Sequence, residues 1–162
     1  MPLIKNKEIV VDDWQHVADD EPLPAKGKAI VSLARWQDEK SALADLNISI
    51  GICLKSDDSA ESVAEDLMHF DLVALEFPNF KDGRSYSTAR LLRERYGYTG
   101  ELRAVGDVLR DQLQFMMRCG FDAFQYSGKT LAEEAVQAFD EIAVAYQPEL
   151  DWRGPTAMIR NS

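Results

Sequence analysis

Ile48-Ser49-Ile50-Gly51-Ile52-Cys53-Leu54 is an apolar run of strand length, and a segment of helical period over roughly Ser59 to Met68 separates it from a second such run, Leu72-Val73-Ala74-Leu75-Glu76-Phe77. Runs this continuously apolar are buried on both faces, as strands of a parallel sheet are, and the helical segment between them is the crossover that parallel strands need. The same alternation extends both ways. Upstream, Ala29-Ile30-Val31-Ser32-Leu33 leads into a helix over roughly Ala34 to Leu46. Downstream, a helix is predicted near Ser85 to Tyr96, and Leu102-Arg103-Ala104-Val105 is paired with one near Val108 to Cys119. Asp122-Ala123-Phe124-Gln125 is followed by a last one near Thr130 to Tyr146. About five β-α units with a mainly parallel sheet make this a single α/β domain, either doubly wound or an incomplete barrel, since the length is short for a full (β/α)8 barrel.

Ahead of these units, Leu3-Ile4-Lys5-Asn6-Lys7-Glu8-Ile9-Val10-Val11 places β-formers on both sides of a short polar turn. It reads as a hairpin within residues 1–14 that covers a sheet edge. Residues 19–28 hold Asp19-Asp20-Glu21, Pro22, Pro24 and Gly27, a composition that prevents regular structure and reads as a linker, though one too short to separate a pair of domains. The domain is expected to run over 1–150, and 151–162, with Gly154-Pro155, to form a loose tail.

Composition narrows the partners. Eighteen Lys and Arg against 28 Asp and Glu give a net charge of −10, a field that repels phosphate backbones and anionic membranes. Nucleic acid and membrane are therefore not expected as partners. The first residues hold no apolar run of the secretory kind and no stretch reaches the length of a membrane span, so a cytoplasmic location is expected. Cys53 and Cys119 lack dithiol spacing, and His16 and His69 are far apart, so neither a metal centre nor a Ser/His/Asp triad is expected.

In a sheet of this kind the loops after the carboxyl ends of the strands converge, and a site is built there. Lys55-Ser56-Asp57-Asp58, Pro78 to Arg84, Gly106-Asp107 and Tyr126-Ser127-Gly128-Lys129 fall on that edge. Asp82, Ser85 or Ser87 is placed to cap the third helix, and Arg84 beside it supplies a forked donor for carboxylate, phosphate, sulfate or sulfite. The plain alternative is an ordinary cap with a solvated arginine. Glu76 and Arg103 are ionisable groups inside apolar strands, and a Glu76 to Arg103 ion pair is expected to resolve the cost of burying both. Asp107 is placed to cap the fourth helix, and with Asp82 it is a candidate acid-base group. Asp111 and Gln112 interrupt that mostly apolar helix at the site edge. Arg90, Arg93 and Arg95, with Glu94, read as a solvated, self-compensated face of the third helix.

One run of residues is more specific than any of these. Phe77-Pro78, Phe80, Asp82-Gly83-Arg84, Ser87, Ala89-Arg90, Leu92-Arg93, Gly97-Tyr98, Gly100 to Ala104, Gly106-Asp107-Val108, Asp111-Gln112 and Arg118 to Phe124 together resemble the bacterial domain-of-unknown-function family 934. Members are described as oxidoreductases of sulfite reduction because their genes lie beside those for assimilatory sulfite reductase. The resemblance implies a role in supplying sulfide for cysteine synthesis, with sulfite reductase or another sulfur-assimilation enzyme as partner. It brings no catalytic residue and no cofactor. The sequence itself has no Gly-x-Gly-x-x-Gly turn, no dithiol and no cluster-ligating spacing. Two functions follow as expectations: an accessory protein or oxidoreductase of sulfite reduction, or an enzyme or binder of a small anion at the strand ends.

Overall fold

A computed structural model describes residues 2–140. The chain forms β1 (Leu3–Lys5), β2 (Glu8–Val10), β3 (Trp14–His16), β4 (Lys28–Ser32), α1 (Leu33–Ala44) and β5 (Ser49–Leu54). A 3-10 helix (Ala60–His69), β6 (Phe70–Phe77), α2 (Arg84–Arg90) and a π-helical turn (Leu91–Arg95) come next. β7 (Glu101–Gly106), a short 3-10 turn (Arg110–Gln112), α3 (Leu113–Cys119), β8 (Ala123–Gln125) and α4 (Ala132–Ala135) complete the described elements. The far end of the last expected helix, from 141 to 146, and the expected tail at 151–162 lie outside the described residues.

The eight strands form one sheet in the order β2-β1-β8-β7-β6-β5-β4-β3. β3 to β8 are parallel neighbours in sequence order, while β1 is antiparallel to both β8 and β2. This order never reverses, so there is no topological switch point and the doubly wound alternative gives way to a curled half-barrel. The curl follows from chain length. β2 and β3 are opposite edges of the sheet, yet only residues 11–13 join them. Eight flat strands would hold those edges roughly 34 Å apart, whereas the four steps from Val10 to Trp14 reach at most about 14 Å. The sheet must therefore bend until its edges nearly meet.

Alternation along the strands sorts the two faces. Ile50, Ile52, Leu54, Val73, Leu75, Phe77, Leu102 and Ala104 pack with Trp36, Leu43, Val63, Leu92, Leu113 and Met116 of the helices in one large core. The intervening residues Ile30, Leu72, Ala74 and Val105 form a small second cluster with Trp14 and Cys53 on the concave face. The Trp14 ring lies over Gly51, where a methyl group would come within 3.1 Å of it.

The N-terminal hairpin forms as expected, turning through Asn6 and Lys7 at φ of 55° and 62°, and it covers the β8 edge. β3 is not evident in the sequence, because three residues without an apolar period carry no strand signal. Residues 19–27 carry neither helix nor strand, and buried Arg35 of α1 holds that region by donating to the carbonyls of Ala18 and Glu21 at 2.8 and 2.7 Å.

Candidate functional site

The loops after β5, β6, β7 and β8 meet at one rim and are stitched together pairwise. Ser56, after β5, accepts from Arg84 Nη2 at 2.9 Å across the gap to the β6 loop. The β6 and β7 loops are joined twice, by Asp107 N donating to the Phe77 carbonyl at 2.7 Å and by Gln112 Nε2 donating to the Phe80 carbonyl at 3.1 Å. Ser127, after β8, accepts from Val108 N at 2.8 Å. Gly106 allows the β7 loop to approach: its φ is +89°, and a Cβ there would lie 2.4 Å from the Phe77 carbonyl oxygen.

Asp82 does not cap α2 from the N-cap position, which Gly83 holds without a side-chain bond. Instead its Oδ1 accepts from both the backbone N and Nε of Arg84, at 3.1 and 3.0 Å, and its Oδ2 accepts from Nη2 at 2.7 Å. This forked pairing holds the Asp82 carboxyl well below the usual carboxylate range and raises Arg84 further. Arg84 is exposed, but its positive charge already carries a carboxylate of its own loop. Ser85 is buried and donates to the Glu76 carbonyl at 2.9 Å, fastening α2 to the end of β6, while Ser87 is exposed on the helix.

Asp107 does not cap the fourth helix. The short 3-10 turn begins after Leu109, whose N–H is met by Gln112 Oε1 at 3.4 Å, and Asp107 is tied to the neighbouring loop through its backbone. Asp111 is exposed on that turn.

Glu76 and Arg103 do not pair. The β6–β7 register sets Glu76 beside Val105 and Arg103 beside Ala74, which leaves the two ionisable groups diagonal on the concave face. Arg103, 1% exposed, finds nearer carboxylates. Its Nε donates to Glu101 Oε2 at 3.0 Å, with Nη2 2.9 Å from the same oxygen, two residues back on the same strand face, and its Nη1 donates to Asp12 Oδ2 at 3.0 Å. Lys5 donates to the other Glu101 oxygen at 2.8 Å, which completes a neutral, partly buried network of two cations and two anions. Glu76 is half-buried near Cys53, and burial followed by the Glu76 charge pushes that thiol up to about 11. Burial likewise raises the Cys119 thiol, so neither cysteine is a thiolate at neutral pH.

The rim thus gathers Asp82, Arg84, Ser85 and Gln112, the concave face holds Glu76 and Arg103, and Ser87 and Asp111 stand apart from both sets. Sequence reasoning missed Asp12 and Glu101, although the i, i+2 spacing of Glu101 and Arg103 on one strand was a readable signal. It also misplaced Arg93, which is half-buried and donates to the carbonyls of Gly120, Tyr98 and Gly100 at 3.0, 2.8 and 2.8 Å. Aromatic residues line the outer side of the rim: Phe80 is 54% exposed and Phe115 46%, and Tyr86 stacks edge-on against Phe115 at 4.8 Å. Among the described residues no group of three or more His, Cys, Asp or Glu side chains is arranged to hold a metal ion, and no helix is long and apolar enough to cross a membrane.

A family model described as a bacterial protein of unknown function, DUF934, matches residues 51–157. The match takes in β5 from Gly51 onward, β6 to β8 and every loop of the rim. No curated protein matches the chain.

Proposed function

The chain belongs to the DUF934 family, and from that premise we propose that it is an accessory protein of assimilatory sulfite reduction. It acts by docking on sulfite reductase or another sulfur-assimilation enzyme, not by redox chemistry of its own. The observation that carries this reading is the pair of exposed aromatic side chains Phe80 and Phe115, the latter braced by half-buried Tyr86, beside an Arg84 already paired with Asp82. Exposed aromatic side chains are the residues that interfaces use as anchors. The two arginines suited to an anion, Arg84 and Arg103, are each neutralised by carboxylates of the chain. Both thiols are held protonated, which removes the ready nucleophile.

A deletion strain should grow slowly on sulfate or sulfite and normally on cysteine. Phe80→Ala with Phe115→Ala should fail to restore growth and should no longer co-purify sulfite reductase, while melting within a few degrees of the parent. Equal growth of the deletion strain in all media would remove the pathway, and full complementation by the double variant would remove the docking surface. A second reading, an anion bound at the strand ends, is favoured by the exposure of Arg84 and the Ser56 hydroxyl facing it from the next loop. On that reading Arg84→Ala alone abolishes complementation.

A further inference from the structure

The barrel is held least firmly where it closes. Among the described residues β2 pairs only with β1 and β3 only with β4, so within them the seam between these edges is crossed by the backbone of residues 11–13 and not by a ladder. Within that connection Val11 is 91% exposed, and Asp13 is exposed with its carboxylate 3.0 Å from Lys28 Nζ. Asp12 alone turns toward the interior. Its Oδ2 accepts from Arg103 Nη1 at 3.0 Å, and its Oδ1 accepts from the backbone N of Trp14, also at 3.0 Å. One side chain therefore ties the connection to the buried network and fixes the first residue of β3.

We infer that residues 11–16 form a releasable strap with Asp12 as its catch: the strap detaches from Arg103 and from β4 as a unit while β5, β6 and β7 stay folded. The barrel then opens at the β2/β3 seam and not at its rim. The strap carries Trp14, so its release uncovers Ile30, Leu72, Ala74 and Val105, the apolar lining of the concave face. Such opening is local because a three-residue edge strand with one neighbour has far fewer bonds to break than a central strand paired on both sides. The inference is independent of the docking partner proposed above.

Native-state hydrogen exchange on the full chain tests it, comparing the parent with Asp12→Asn and with Asp13→Asn as the control for the exposed salt bridge. Losing a charge-assisted hydrogen bond in Asp12→Asn should speed exchange across residues 14–17 by a factor of about ten to a hundred. β5 to β7, which exchange through global unfolding, should lose protection by no more than the same factor and stay far slower than 14–17 in parent and variant alike, and Asp13→Asn should match the parent. If Asp12→Asn does not fold, low urea applied to the parent gives the same answer: residues 14–17 should exchange through an opening nearly independent of urea, ahead of β5 to β7. Unchanged exchange at 14–17 in Asp12→Asn, parent protection at 14–17 equal to that of β5 to β7, or one common opening in urea would overturn the strap.

Discussion

Arg103 shows how a single residue can be recognised correctly and paired wrongly. An arginine inside an apolar strand demands a carboxylate, and that much is legible from composition. Which carboxylate answers is set by geometry: Glu101 is on the same face of the same strand, and the neighbouring strand's register carries Glu76 out of line. Replacing Arg103 with Ala should therefore destabilise the fold by about 3–5 kcal/mol, since it takes the cation from Asp12 and leaves Glu101 with Lys5 alone, whereas Glu76→Gln should stay within about 0.5 kcal/mol of the parent. Urea melts of the two variants check this, and a larger loss from Glu76→Gln would restore the expected pair. Cys53 gives a pH signature. Its thiol is raised from 9.0 to about 11 by burial, so the folded state binds the proton more tightly than the unfolded chain does. The stability this contributes is complete below about 9 and is lost as pH rises from about 9 to about 11, the sign expected for an acid whose folded pKa is raised. Cys53→Ala should flatten that region of the stability profile, and an identical decline in both proteins would assign it elsewhere.

Among the elements, strands were easier to read than helices. The apolar runs located β4 to β8 because two-sided burial leaves a compositional mark, and the Asn6-Lys7 turn marked the hairpin. The helices carry less regular structure than their apolar period suggests: the second crossover is a 3-10 helix, the third passes into a π turn, and the fourth begins as a 3-10 turn. Periodicity reports which face is buried and not how the backbone bonds are satisfied, so these differences were not legible. The π turn has an identifiable role. It presents Arg93, which joins three carbonyls from the α3–β8 turn and the approach to β7. Arg93→Ala should cost about 2–4 kcal/mol by leaving several carbonyls without a donor. Arg95→Ala, on the exposed side of the same turn, should be neutral, and equal melting temperatures for the two would show that the arginines are all solvated as their spacing implied.

For the whole molecule, the sequential strand order and the link from β2 to β3 also dictate when the structure can be completed. Leu3 and Ile4 precede every other strand of the sheet, yet they pair with Gln125 and Phe124, and Asp12 waits for Arg103. The hairpin forms locally but its β8 and Arg103 partners come last, and pairings of such long sequence separation make folding slow because the loop-closure entropy is lost before the contacts form to offset it. A nascent chain emerging from the ribosome carries the β1–β2 hairpin without its β8 neighbour until β8 itself has been synthesised, so the sheet cannot be completed before its last strand emerges.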